Sequence, residues 1–133
     1  MKFPKTISLD FAKVTLYPNL MIASVNEGVV FDQAELKEFY NIFNTYYPNK
    51  LFGYISDRRN DYTVNPTSYL TSSSHPNLAA IAIVCQSEES YQMAQFEKQF
   101  YKRPFKVFYD MQEGEEWIEK ELKKITKQQE KQI

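Results

Sequence analysis

The chain has 133 residues, 43% of them hydrophobic and 25% charged, with a formal net charge of −1. That length suits one domain with a single core, and the near-neutral balance gives no bulk electrostatic drive toward nucleic acid or an anionic membrane. With one Cys and one His, neither an internal disulfide nor a Cys/His metal cluster can form, and no cofactor is expected.

Taken in order, Ile7, Leu9 and Phe11 alternate with polar residues, as do Val14 and Leu16. Thr6–Tyr17 therefore reads as one or two half-buried strands. Pro18-Asn19 is a turn, and Leu20–Val25 returns antiparallel, because so short a link cannot make a parallel crossover. Gly28 is expected to supply a backbone conformation that other residues avoid. Val29–Phe31 then leads into a helix opened by Asp32 and Glu35, a capping-box pair, with an apolar stripe of Leu36, Phe39, Tyr40, Phe43 and Tyr47. Leu51–Ser56 is the next strand and Asp57–Asn65 a polar loop. Asn65-Pro66 starts a short helix that ends near Ser72.

Leu78–Cys85, Leu-Ala-Ala-Ile-Ala-Ile-Val-Cys, is an uncharged apolar run of the kind found mid-sheet with both faces covered. Ser87 or Ser90 can cap a third helix carrying Met93, Phe96 and Phe100 on one face. Phe105–Tyr109 is a last strand. Asp110 and Glu113 open a final helix that buries Gly114, Trp117, Ile118, Leu122 and Ile125, with Gly114 allowing close approach to the sheet. Strand–helix alternation of this kind predicts right-handed crossovers onto a largely parallel sheet. The expectation is a single-domain mixed sheet with about four helices, spanning 1–125, followed by a polar helix end or tail over 126–133.

No apolar run approaches the ~20 residues of a membrane span, and Met1–Asp10 lacks the apolar core of a signal peptide. A cytoplasmic location is expected on that basis.

Leu78–Cys85, a helix, then Phe105-Lys-Val-Phe-Tyr-Asp and Glu115-Glu116-Trp117-Ile118, together with the opening hairpin and Asn26-Glu27-Gly28-Val29, resemble the SpoIIAA-like branch of the STAS domains. The resemblance implies a small α/β binding or regulatory module with no catalysis of its own. It also implies a protein partner, with monomer and homodimer both open. In the anti-anti-sigma members a Ser after a central strand accepts phosphate. The matching region here, Ser56-Asp57-Arg58-Arg59-Asn60-Asp61, lacks their Asp-Ser-Ser-Gly-like pattern, so that role is carried to no residue.

The Asp57–Asp61 loop is the main binding candidate, because ligands of open α/β sheets gather outside the carboxyl ends of the strands. Arg58 and Arg59 can fork onto a carboxylate or phosphate, Asn60 lies beside them, and Tyr62 and Tyr69 can line a groove. The plainer alternative is a solvated turn in which the Arg side chains pair with Asp57 and Asp61. A second functional reading is a carrier of a small apolar or anionic ligand. A third is a small enzyme using this loop with His75, but no Gly-x-Ser-x-Gly elbow or oxyanion hole accompanies the Ser72–His75 cluster. Cys85, ending a buried strand, reads as a small apolar side chain.

Overall fold

The structure, a computed structural model, describes residues 2–131. Strands β1 (Lys5–Ser8), β2 (Ala12–Tyr17) and β3 (Leu20–Val25) form an antiparallel meander. A short β4 (Val30–Phe31) leads into α1 (Gln33–Tyr46). Then come β5 (Phe52–Arg58), the short β6 (Thr63–Val64), α2 (Thr67–Ser72), β7 (Leu78–Cys85) and α3 (Glu88–Glu97), which tightens into a 3-10 turn over Lys98–Phe100. Strand β8 (Phe105–Phe108) and α4 (Met111–Lys131) complete the order.

The main sheet runs β1-β2-β3-β5-β7-β8. Strand β5 is parallel to β3, β7 to β5, and β8 to β7. The three strands expected to be parallel neighbours are so, and β7 occupies the residues read from sequence. All eight of its residues are buried, and its alternation sorts them between two layers. Ile81 and Ile83 face a core shared with α1, α2 and α3, whereas Ala82 and Val84 face Ile118 and Leu122 of α4.

Two glycines set how closely α4 lies on the sheet. A Cβ on Gly53 would stand 2.3 Å from Ile118 Cγ2, and one on Gly114 would stand 3.3 Å from Val84 Cγ2. The close approach expected of Gly114 is therefore present. Gly28 has φ +77°, the left-handed conformation that side chains resist. Asp32 and Glu35 complete both halves of the capping box on α1, and Ser87 Oγ caps α3 by accepting from Ser90 N–H at 3.1 Å. The final helix runs on to Lys131; residues 132–133 of the expected tail lie outside the described residues.

Three sequence expectations need correction. Strand β5 ends at Arg58, not Ser56, because Asp57 and Arg58 still pair with Val84 and Cys85, and both charged side chains are neutralised internally. The expected nine-residue loop is thereby shortened to 59–62, since Thr63–Val64 forms β6, parallel to β4. On α3, Met93 and Phe96 are 58% and 53% exposed. The buried positions of that helix are instead Ala94 and Glu97, three residues apart and so on one face.

Candidate functional site

Parallel strands β5 and β7 deliver Arg58 and Cys85 to the same end of the sheet. An Arg at the end of a buried strand must find a partner, since a lone charge out of water is costly. It finds Glu97: Arg58 Nη2 donates to Glu97 Oε1 at 2.5 Å and Nη1 to Oε2 at 2.7 Å. The side chains are only 8% and 5% exposed. Tyr69 closes the group. Its hydroxyl accepts from Arg58 Nη2 at 2.9 Å and donates to Glu97 Oε1 at 2.7 Å. Burial pushes the Tyr69 phenol well above its usual value. Burial alone pulls Arg58 down, but Tyr62, Tyr69 and Glu97 outweigh it and hold the guanidinium charged.

Tyr62 lies over this group. Its ring centroid is 5.4 Å from the Arg58 guanidinium carbon, and its hydroxyl is 2.8 Å from Ser56 Oγ. The loop carrying it is held to the strand β3 end and the turn that follows. Asn60 Nδ2 donates to Val25 O at 3.1 Å, Gly28 N–H to Asp61 O at 2.8 Å, and Thr63 N–H to Val29 O at 2.9 Å. Arg59 alone of the two arginines reaches solvent. Its side chain is 66% exposed and forks onto Asp57 Oδ2 from Nη2 at 2.5 Å and Nε at 3.1 Å.

Outside this loop runs an open groove of about 640 Å³, bounded by Arg59, Asn60 and Tyr62 on one side and Ser87, Glu89 and Met93 on the other. Arg58 and Glu97 form its floor. On the inner side of Tyr62 is a separate cavity of about 30 Å³ beneath α1 and α2. The five residues singled out from sequence thus fall into two sets. Arg59, Asn60 and Tyr62 stand at the rim, while Arg58 and Tyr69 are buried and satisfied within the fold. Sequence reasoning missed Glu97, whose partner is 39 positions away, and Met93, which had been assigned to the core.

His75 belongs to the opposite end of the sheet. It precedes Leu78, which lies beside Phe52 where β5 begins, whereas Arg58 ends that strand. Seven residues of strand, ~3.3 Å each, separate the two ends, so the loop and His75 share no site. The imidazole is buried against Tyr40, Phe43 and Phe52. Its Nδ1 accepts from Asn77 N–H at 3.2 Å, so the neutral ring carries its proton on Nε2 and donates to Asn44 Oδ1 at 3.1 Å. Cys85 is buried, and burial raises its thiol pKa, the reverse of what a nucleophile needs. Among the described residues no three His, Cys, Asp or Glu side chains gather as metal ligands, and no helix is long and apolar enough to cross a membrane.

A central parallel strand, an antiparallel opening and helices on both faces place the molecule among known architectures. No family model matches the chain. No curated protein matches it either. Among solved structures it resembles an uncharacterised protein of the DUF3478 family with a SpoIIAA-like fold from Shewanella loihica PV-4. The TM-score is 0.56 at 11% sequence identity, over 86% of this chain and 90% of that one. The fold is SpoIIAA-like. The resemblance drawn from the opening hairpin, Leu78–Cys85 and the final strand and helix holds at the level of architecture.

Proposed function

We propose that this SpoIIAA-like domain is a non-enzymatic binding module that takes a protein partner in the groove at the carboxyl ends of β5 and β7. The observation that supports it is the division of labour around Arg58. The buried Arg58–Glu97–Tyr69 group fixes a rigid floor, and Arg59, Asn60, Tyr62 and Met93 stand above it along the groove. A rim of polar groups with one exposed apolar side chain is the composition of a protein-recognition surface. Arg58 is already neutralised by Glu97, and the acidic Asp61 and Glu89 line the same groove as Arg59. The groove thus fits a partner of mixed polar and apolar character better than a strongly acidic one.

The test is affinity capture from the native cell with wild-type protein, an Arg59→Glu variant and a Met93→Glu variant, each checked for an unchanged melting temperature. Loss of the same partner by both variants is the expected result. Undiminished capture by both would remove the groove from consideration.

A further inference from the structure

Helix α3 shows the reverse of the usual surface-helix pattern. Its buried face holds Ala94 and the Glu97 carboxylate, whereas Met93 and Phe96 are exposed. A surface helix ordinarily turns its apolar stripe to the core and its charges to water. Exposed apolar side chains scattered singly need no explanation, but these are not single. Phe100, half-buried in the 3-10 turn that prolongs α3, meets Phe96 edge-on with ring centroids 5.5 Å apart. Positions 93, 96 and 100 have the three-and-four spacing of one helical stripe. Glu89, four residues before Met93, extends that stripe toward the helix start.

The two ends of the stripe differ in charge. Glu89 is exposed at one end, and Lys102 is exposed just past the other. Neither has an ionic partner among the described residues, whereas Arg103 beside Lys102 is committed to the His75 and Leu78 carbonyls. An order of acid, apolar centre and base is complementary to itself when reversed. A second copy laid antiparallel on α3 sets Phe96 against the partner subunit's Phe96, Met93 against the partner subunit's Phe100, and Glu89 toward the partner subunit's Lys102. Each pairing is centred within about one residue of position 96, as a single two-fold axis requires. A parallel arrangement would oppose Glu89 to Glu89, which like charges disfavour.

We propose that α3 is a self-association face, on which two copies of this chain pack antiparallel through Met93, Phe96 and Phe100 with Glu89 and Lys102 closing both ends. Stable dimers bury about 800 Å² per partner, and a large side chain supplies about 150–250 Å² at most, so this dimer is weak and reversible. The stripe borders the groove at Met93, but the proposal does not rest on the groove, because its test uses the purified chain alone. Sedimentation equilibrium at rising concentration should show a monomer–dimer equilibrium. Phe96→Glu, a change at an exposed position, should leave the melting temperature unchanged and raise the dissociation constant by about tenfold or more, as loss of a central aromatic contact does. Glu89→Lys and Lys102→Glu should each weaken the dimer, and the two together should restore it, because the exchanged charges attract again. A wild type that stays monomeric at millimolar concentration would overturn the proposal and leave the stripe to a different protein. A dimer indifferent to Phe96→Glu would also overturn it, as would a double charge variant no tighter than the single ones.

Discussion

Arg58 and Glu97, 39 positions apart in sequence, form a two-pronged ion pair at 2.5 and 2.7 Å with almost no exposure to solvent. Removing either member strands the other charge, so Arg58→Ala and Glu97→Ala should each destabilise the fold by about 3–5 kcal/mol. Replacing both together by apolar residues of similar volume, Arg58→Met with Glu97→Leu, should recover most of that loss. Urea denaturation of the four proteins checks this. Additive losses in the double variant would show that the two charges are not energetically coupled.

Arg59 is expected to behave differently despite its adjacency. Its pairing with Asp57 is largely solvated on the arginine side, and such pairs are worth about 0–1 kcal/mol. Arg59→Ala should therefore melt within a few degrees of wild type. Arg58 and Arg59 thus cannot be exchanged or deleted together as a silent surface change. A loss above about 2 kcal/mol for Arg59→Ala would mean that Asp57 depends on it for burial.

Gly53→Ala should be costly because its Cβ meets Ile118 Cγ2 at 2.3 Å. Overpacking of this kind costs about 1–3 kcal/mol. Combining it with Ile118→Ala, which removes the Cγ2 and Cδ1 carbons that meet the new methyl, should cost less than the sum of the two single changes. Strict additivity in thermal or urea melts would show that α4 moves away as a rigid body.

His75 gives the fold a sensitivity to acid. Burial first, and then the charge of Arg103, lowers its pKa in the folded state, so the unfolded chain takes up the proton more readily. The stability associated with neutral His75 is whole above the unfolded value near 6.5 and is lost as pH falls through the folded value. Protonation would also set the Nδ1 proton against the Asn77 N–H that it now accepts. The unfolding free energy should fall as pH drops below about 6.5 and through the lowered folded-state value, with a shallower slope in His75→Gln. Equal slopes in the two proteins would assign the dependence to other groups.

Ser68→Ala should be neutral or stabilising by up to about 1 kcal/mol, since it deletes a buried hydroxyl that has no partner among the described residues. A clear loss of stability would point to a hydrogen bond that the folded protein makes there.

Much of this architecture is written in local pattern. Strands β3 and β7 have the residues expected of them, because a continuous apolar run or strict alternation leaves little choice of face. The helix starts at Asp32 and Ser87 follow from side chains that satisfy their own first turns. The candidate site was less legible because it depends on distant pairing. Asp57 and Arg58 look like loop residues until Arg59 and Glu97 are brought to them, and only then can β5 continue. Met93, Phe96 and Phe100 have the spacing of a buried stripe. The Glu97 carboxylate, turned toward Arg58, centres the buried face of α3 on Ala94 and Glu97, which with 3.6 residues per turn leaves Met93 at the edge of that face and Phe96 on the outer side.

The small parallel pairing of β4 with β6 has a consequence for the thermodynamics of recognition. Together with the bonds from Asn60 and Gly28, it ties the groove's rim to the scaffold before any partner arrives. Ordering a flexible loop is one of the main entropic penalties of association, and here folding has already met it. Calorimetry of partner binding should accordingly show the modest heat-capacity change of two preformed surfaces, without the large additional decrement of coupled folding.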